Sequence, residues 1–252
     1  MKRAWMIWTC LWLLATGLAL ASIVMAQTPS PSSVTIGGQL YDTWWKAVPD
    51  VKPPDGNHPL WALQSTNKRK GTVTWRCKEC HGWDYKGNDG AYGSGSHKTG
   101  FPGVIGAQAK SVDEIKAALK GSTNPKHDFS SFLDDTALTN LATFVKHGLL
   151  NLSLAIDGKT KKPVKADIAR GQQLADLCAA CHGPEGTQLN FGKSDEPEFV
   201  GTVAKQNPWE FLHKVRVGQP GSDPPMPAGL EVGWSVQDLL DILAYSQTLP
   251  EK

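Results

Sequence analysis

Apolar residues recur at three- and four-residue spacing in two widely separated stretches, Leu138, Leu141, Phe144 and Val145, then Leu239, Ile242, Leu243 and Tyr245. That period is one face of an α-helix, and it predicts core helices over 138–147 and 236–247. The second opens on Ser235 with Asp238 three residues later, a capping-box start. Shorter helix-like stretches precede both, 112–119 before Gly121 and 208–217 before Gly218. Ahead of these lie Pro102-Gly103-Val104-Ile105-Gly106 and Pro197-Glu198-Phe199-Val200-Gly201. The same order of features thus occurs twice, and the chain reads as an all-α protein built from an internal repeat.

The first 26 residues have a different character. Lys2 and Arg3 precede an uncharged, largely apolar run over 4–26, followed by Gln27-Thr28-Pro29. This is the pattern of an export signal, with the small Ala26 suited to cleavage. The run is also about long enough to span a bilayer, which takes roughly 20 apolar residues, so an uncleaved membrane tether is the alternative. Loss of the leader removes two of 26 basic residues and leaves 24 against 24 acidic ones. A formally neutral remainder offers no basic footprint for nucleic acid. Cys10, Met1, Met6 and Met25 leave with the leader, so four cysteines and one methionine, Met226, remain.

Those four cysteines fall as Cys77-Lys78-Glu79-Cys80-His81 and Cys178-Ala179-Ala180-Cys181-His182, each histidine followed by glycine. Cys-x-x-Cys-His is the attachment sequence of haem c. Two thiols at this spacing reach the two vinyl groups of one porphyrin, and the next side chain becomes the proximal iron ligand. Two Cys-x-x-Cys pairs can also make a four-cysteine zinc cage, which leaves both histidines without a role. Two disulfides are the default for four cysteines in an exported chain, but that reading ignores the repeated His.

With motifs, intervening helices and closing helices in this order, the chain resembles the class I cytochrome c family in tandem, over about residues 72–150 and 165–250. The resemblance implies two haem domains, 71–150 and 167–252, joined by a linker over 151–166 and preceded by an N-terminal extension over 27–70. It also implies two covalently bound haem c groups. Met226 lies 44 residues after His182 in a proline-flanked loop and resembles the family's methionine ligand. The first half has no methionine to match it. His127, 46 residues after His81 in the corresponding loop, is the expected sixth ligand, with His97 and an open position as alternatives. His147 and His213 read as surface histidines.

The function expected from this is single-electron transfer between protein redox partners in the periplasm or another exported location, alone or as a subunit of a larger oxidoreductase. A dihaem enzyme, such as a peroxidase with a ligand-exchangeable first haem, is the competing reading. Thioether ligation raises a haem potential relative to a second imidazole, which makes the first centre the lower-potential one. Residues 27–70 open on a Pro/Ser spacer and continue through Tyr41, Trp44, Trp45 and Trp61. These aromatics are expected to cover an edge of the first domain, or to form a docking patch.

Overall fold

The computed structural model describes residues 31–252. The expected leader over 1–26 lies outside the described residues, and so does the start of the spacer. Among the described residues no helix is long and apolar enough to cross a membrane. The described fold is all-α: it contains no β-sheet, only isolated bridges such as Gly87 with Pro102. The elements are α1 (Pro31–Ala47), α2 (Cys77–His81), α3 (Val112–Leu119), α4 (Asp135–Thr143), α5 (Ile168–His182), α6 (Val200–Gln206), α7 (Pro208–Val217) and α8 (Val236–Ser246).

Local chemistry accounts for most boundaries. Ser111 and Glu114 form a reciprocal capping box on α3, and Ser235 and Asp238 form one on α8. Asp134 accepts the amide of Ala137 at 2.7 Å, which starts α4 three residues before the predicted stripe. Helix α4 runs on into a π-helical turn, Phe144–Gly148. Both predicted stripes are buried: Leu138, Leu141, Phe144 and Val145 in one core, Leu239, Ile242 and Leu243 in a second.

Residues 31–70 are not an appendage. Helix α1 is part of the first core, where Tyr41 and Trp44 are buried among the residues of α4. A Cβ on Gly37 would lie 2.1 Å from the carbonyl oxygen of Asn140, so α1 and α4 cross at backbone contact. In the second half a Cβ on Gly171 of α5 would lie 2.0 Å from the carbonyl of Asp241 on α8. The two crossings correspond. Helix α1 therefore fills the place in the first half that the front of α5 fills in the second, with residues 48–76 inserted before the Cys-x-x-Cys-His turn. Burial of Tyr41, Trp44 and Trp61 removes these rings from any docking patch. The sequence reading missed α1 because its apolar positions are broken by Gly37, Gly38 and polar residues.

The expected linker over 151–166 is packed as well. Leu152 and Ile156 are buried in the second core, and Val164 donates its amide to Ala155 at 2.8 Å. A second correction concerns His213, expected at the surface but only 3% exposed. Its Nε2 donates to the carbonyl of Gly38 at 2.9 Å, and its Nδ1 accepts the Tyr85 hydroxyl at 2.8 Å. One imidazole from α7 thereby ties α1 to the loop behind the first motif. Burial pushes its pKa down to about 3, so it is neutral. His147 is exposed, as expected.

Beside this bridge, the fully buried Asp42 carboxylate accepts Lys214 at 2.8 Å and also pairs with Arg76. Burial alone would raise its pKa, but Lys214 and Arg76 outweigh burial and hold it well below the usual carboxylate range. Asp42→Ala leaves two cations facing each other and is expected to cost about 3 kcal/mol, read by chemical denaturation at pH 7. Because the folded pKa is depressed, this contribution is present above the unfolded value of about 3.9 and fades as pH falls toward the folded one. The gap between wild type and Asp42→Asn should therefore narrow below about pH 4; a gap that widens there would contradict the assignment. Gly37→Ala drives a methyl into the Asn140 carbonyl and is expected to lower stability by about 1–3 kcal/mol in thermal unfolding.

Candidate haem sites

Each Cys-x-x-Cys-His segment is helical up to its histidine and then turns sharply. Gly82 at φ 77° and Gly183 at φ 75° occupy the left-handed region, which glycine adopts without penalty. Their amides close the last turn on Lys78 and Ala179, at 3.0 and 2.9 Å. This is why both histidines are followed by glycine. The first segment is a single turn, α2; the second is the end of the fifteen-residue α5.

All four cysteines are unpaired. Burial pushes the Cys77 thiol up to about 12 and raises Cys80 and Cys178 too. Thiol redox couples and zinc cages need thiolates, and thiolates need the opposite shift. Nor do the described residues gather three or more His, Cys, Asp or Glu into a metal-holding group, so the two pairs do not form one zinc cage. A haem c fits these residues better, because it takes its cysteines as thioethers.

The Nδ1 of His81 donates to the carbonyl of Pro102 at 2.7 Å, which fixes the proton there and leaves Nε2 with a bare lone pair. Burial lowers its pKa to about 4, so the ring stays neutral. The ring of His127 stands opposite, with centroids 6.3 Å apart and planes at 77°. His127 Nδ1 faces the Ala118 carbonyl at 3.4 Å, again leaving Nε2 open. His97 is placed elsewhere: its Nδ1 is 2.6 Å from Arg69 and its ring 4.7 Å from Tyr92. It lines a polar cleft of about 870 Å³ between the loop after the first motif and α6–α7, a cleft that neither His81 nor His127 borders.

A third imidazole at the first site was not expected from the sequence. His58, 5% exposed, packs 4.5 Å from Trp75, stacks on Phe129 at 5.7 Å and lies 6.3 Å from His127. Its Nδ1 accepts the amide of Leu60 at 3.1 Å. The one sequence signal was a histidine directly before the Pro59–Leu63 turn, which it caps. The charges inside the first motif lie in the interior. Lys78 and Glu79 are buried, Glu79 at 1%, and Glu79 pairs both with Lys78 and with Arg69, the latter at 3.1 Å. Lys78 and Arg69 overcome the burial that would raise the Glu79 pKa, and hold the carboxylate charged.

At the second site His182 has a buried Nδ1 with no hydrogen-bond partner among the described residues. Phe191, 47% exposed, holds its ring 5.6 Å from it. Such apolar surface beside an imidazole without a partner would suit a porphyrin face. Met226 sits on the loop between α7 and α8, its amide donating to Ser222 Oγ at 2.9 Å and its side chain packed on the second core. The expected residues are thus grouped as Cys77, Cys80, His81 and His127 in one half and Cys178, Cys181 and His182 in the other, with Met226 on the second half's own loop. No family model, curated protein or solved structure matches the chain.

Proposed function

We propose that this chain is a dihaem c-type cytochrome that transfers single electrons, with its two halves built as class I cytochrome c-like domains. The observation that carries this is the pair His81 and His127, two neutral rings 6.3 Å apart with both Nδ1 atoms turned to backbone carbonyls. Support for the tandem arrangement comes from the paired helix crossings at Gly37 and Gly171 and the paired His-Gly turns. On this reading α1 and residues 48–150 form the first domain, and residues 151–252 form the second.

Haem c, when bound, supplies a reversible one-electron iron couple. The chain's own residues do the rest. Cys77 and Cys80, and Cys178 and Cys181, anchor the two groups. His81, oriented by Pro102, and His182 are the proximal donors. His127 closes the first site with a second imidazole and Met226 closes the second with a thioether, which orders the sites from lower to higher potential. Trp75 and Phe129, packed around the first site, exclude water and favour the neutral rings. Residues 1–26 act as export signal or tether, so the chain works outside the cytoplasm with protein donors and acceptors.

His127→Ala is expected to convert one of two low-spin haems to high-spin, seen by low-temperature electron paramagnetic resonance, and to open that iron to carbon monoxide. A wild type already high-spin at one haem and consuming peroxide points instead to the dihaem-enzyme reading. Met226→His is expected to lower the higher of the two midpoint potentials by on the order of 100 mV, within the roughly 0.8 V range that axial ligands span, and to leave the other in place.

A further inference from the structure

Resting on the haem reading of the first site, we propose that His58 is the distal hydrogen-bond donor of that site, poised to hold a small anionic ligand that takes the place of His127. The tautomer of His58 decides its role. A backbone amide can only donate, so Nδ1, which accepts Leu60 N–H at 3.1 Å, carries no proton. In the neutral ring the proton is on Nε2. A metal ligand needs a bare nitrogen, which His127 has and His58 does not.

Position agrees with this division. The His58 ring lies 6.3 Å from that of His127, the same centroid distance that separates His127 from His81. His58 is fixed from behind, its amide donating to Thr74 Oγ1 at 2.9 Å and its ring lying on Phe129. Nε2 makes no hydrogen bond within the described residues. The Nε2 N–H is thus left without an acceptor from the described residues, and the stack on Phe129 does not require that donor, since a phenyl ring would make the same stack.

The neighbour it stands beside is the more weakly held of the two axial histidines. His81 is tethered at 2.7 Å to Pro102, whereas His127 is 3.4 Å from Ala118 on a loop whose Ser122, Thr123, Pro125 and Lys126 are exposed. Exchange breaks the bond to His127 Nε2 and forms one to the incoming ligand, with no electron transferred. Cyanide or azide, which accept a hydrogen bond, are suitable ligands; carbon monoxide is a poor acceptor. The second site has no counterpart, since His147 is exposed and His213 is engaged with Gly38 and Tyr85.

The experiment uses the haem-loaded full chain and compares His127→Ala with the double variants that add His58→Phe or His58→Gln. Azide and cyanide affinities of the oxidised protein and carbon monoxide affinity of the reduced protein are read by optical titration. His58→Phe should weaken anion binding about tenfold, the worth of one net hydrogen bond, and change carbon monoxide affinity less than twofold. His58→Gln, which keeps an N–H donor, should recover most of the loss. Equal anion affinity in all three variants overturns the proposal. So does a His127→Ala protein that stays low-spin until His58 is also replaced, since His58 is then a ligand. Absence of haem mass at Cys77 and Cys80 in the denatured wild type sinks the haem reading itself, and this proposal with it.

Discussion

Two adjacent glycines in α1 set the arrangement of the molecule. Successive residues of a helix point about 100° apart, so Gly37 and Gly38 face different neighbours. A Cβ on Gly37 would meet the backbone of Asn140 at 2.1 Å, and one on Gly38 would meet Val217 at 2.7 Å. Helix α1 is thus pressed between α4 of the first half and α7 of the second. With side chains absent at the contact, the backbone carbonyl of Gly38 is free to accept His213, and Tyr41 on the same helix donates to the carbonyl of Gly82 at 2.7 Å. The turn that follows His81 is therefore held by the helix that also contacts the second half. A single close-packed strut sets both sites relative to each other.

This junction explains an inversion between the two motifs. The charged Lys78-Glu79 pair is buried and the neutral Ala179-Ala180 pair is not, although composition alone suggests the reverse. The back of α2 lies near α7, and Lys78 and Lys214 both lie over the ring of Trp83, at 5.0 and 5.4 Å. Burial of a charge is tolerable only with a partner, and Glu79 and Asp42 supply partners on two sides. Among the described residues the corresponding face of α5 has less cover, with Ala179 half-buried and Ala180 exposed. The Lys78 side of the first motif is therefore covered by the other half, whereas the second motif presents Cys181, beside a half-exposed Phe191, to solvent. Burial among first-half residues keeps the imidazoles of His81 and His127 neutral, and the second motif is the more exposed of the two.

What the sequence determined by itself is whatever is written within about a dozen residues. The Cys-x-x-Cys-His-Gly turns, the helices α3 and α7, the stripes of α4 and α8 and the Ser235 cap are local in this sense, as was the inequality between a half with Met226 and a half without a methionine. What only the tertiary structure decided is which distant groups meet. Gly38 and His213 are 175 residues apart and Asp42 and Lys214 are 172, so no local period records either contact. The same holds for α1, whose interrupted apolar pattern reads as an extension until α4 packs on it, and for His58, whose place beside His127 depends on the 48–76 insertion folding so that His58 packs on its own Trp75 and on Phe129. Periodicity and capping act through the chain's own backbone and are visible in order along it; burial and partnership act through space, where order along the chain no longer specifies the neighbour.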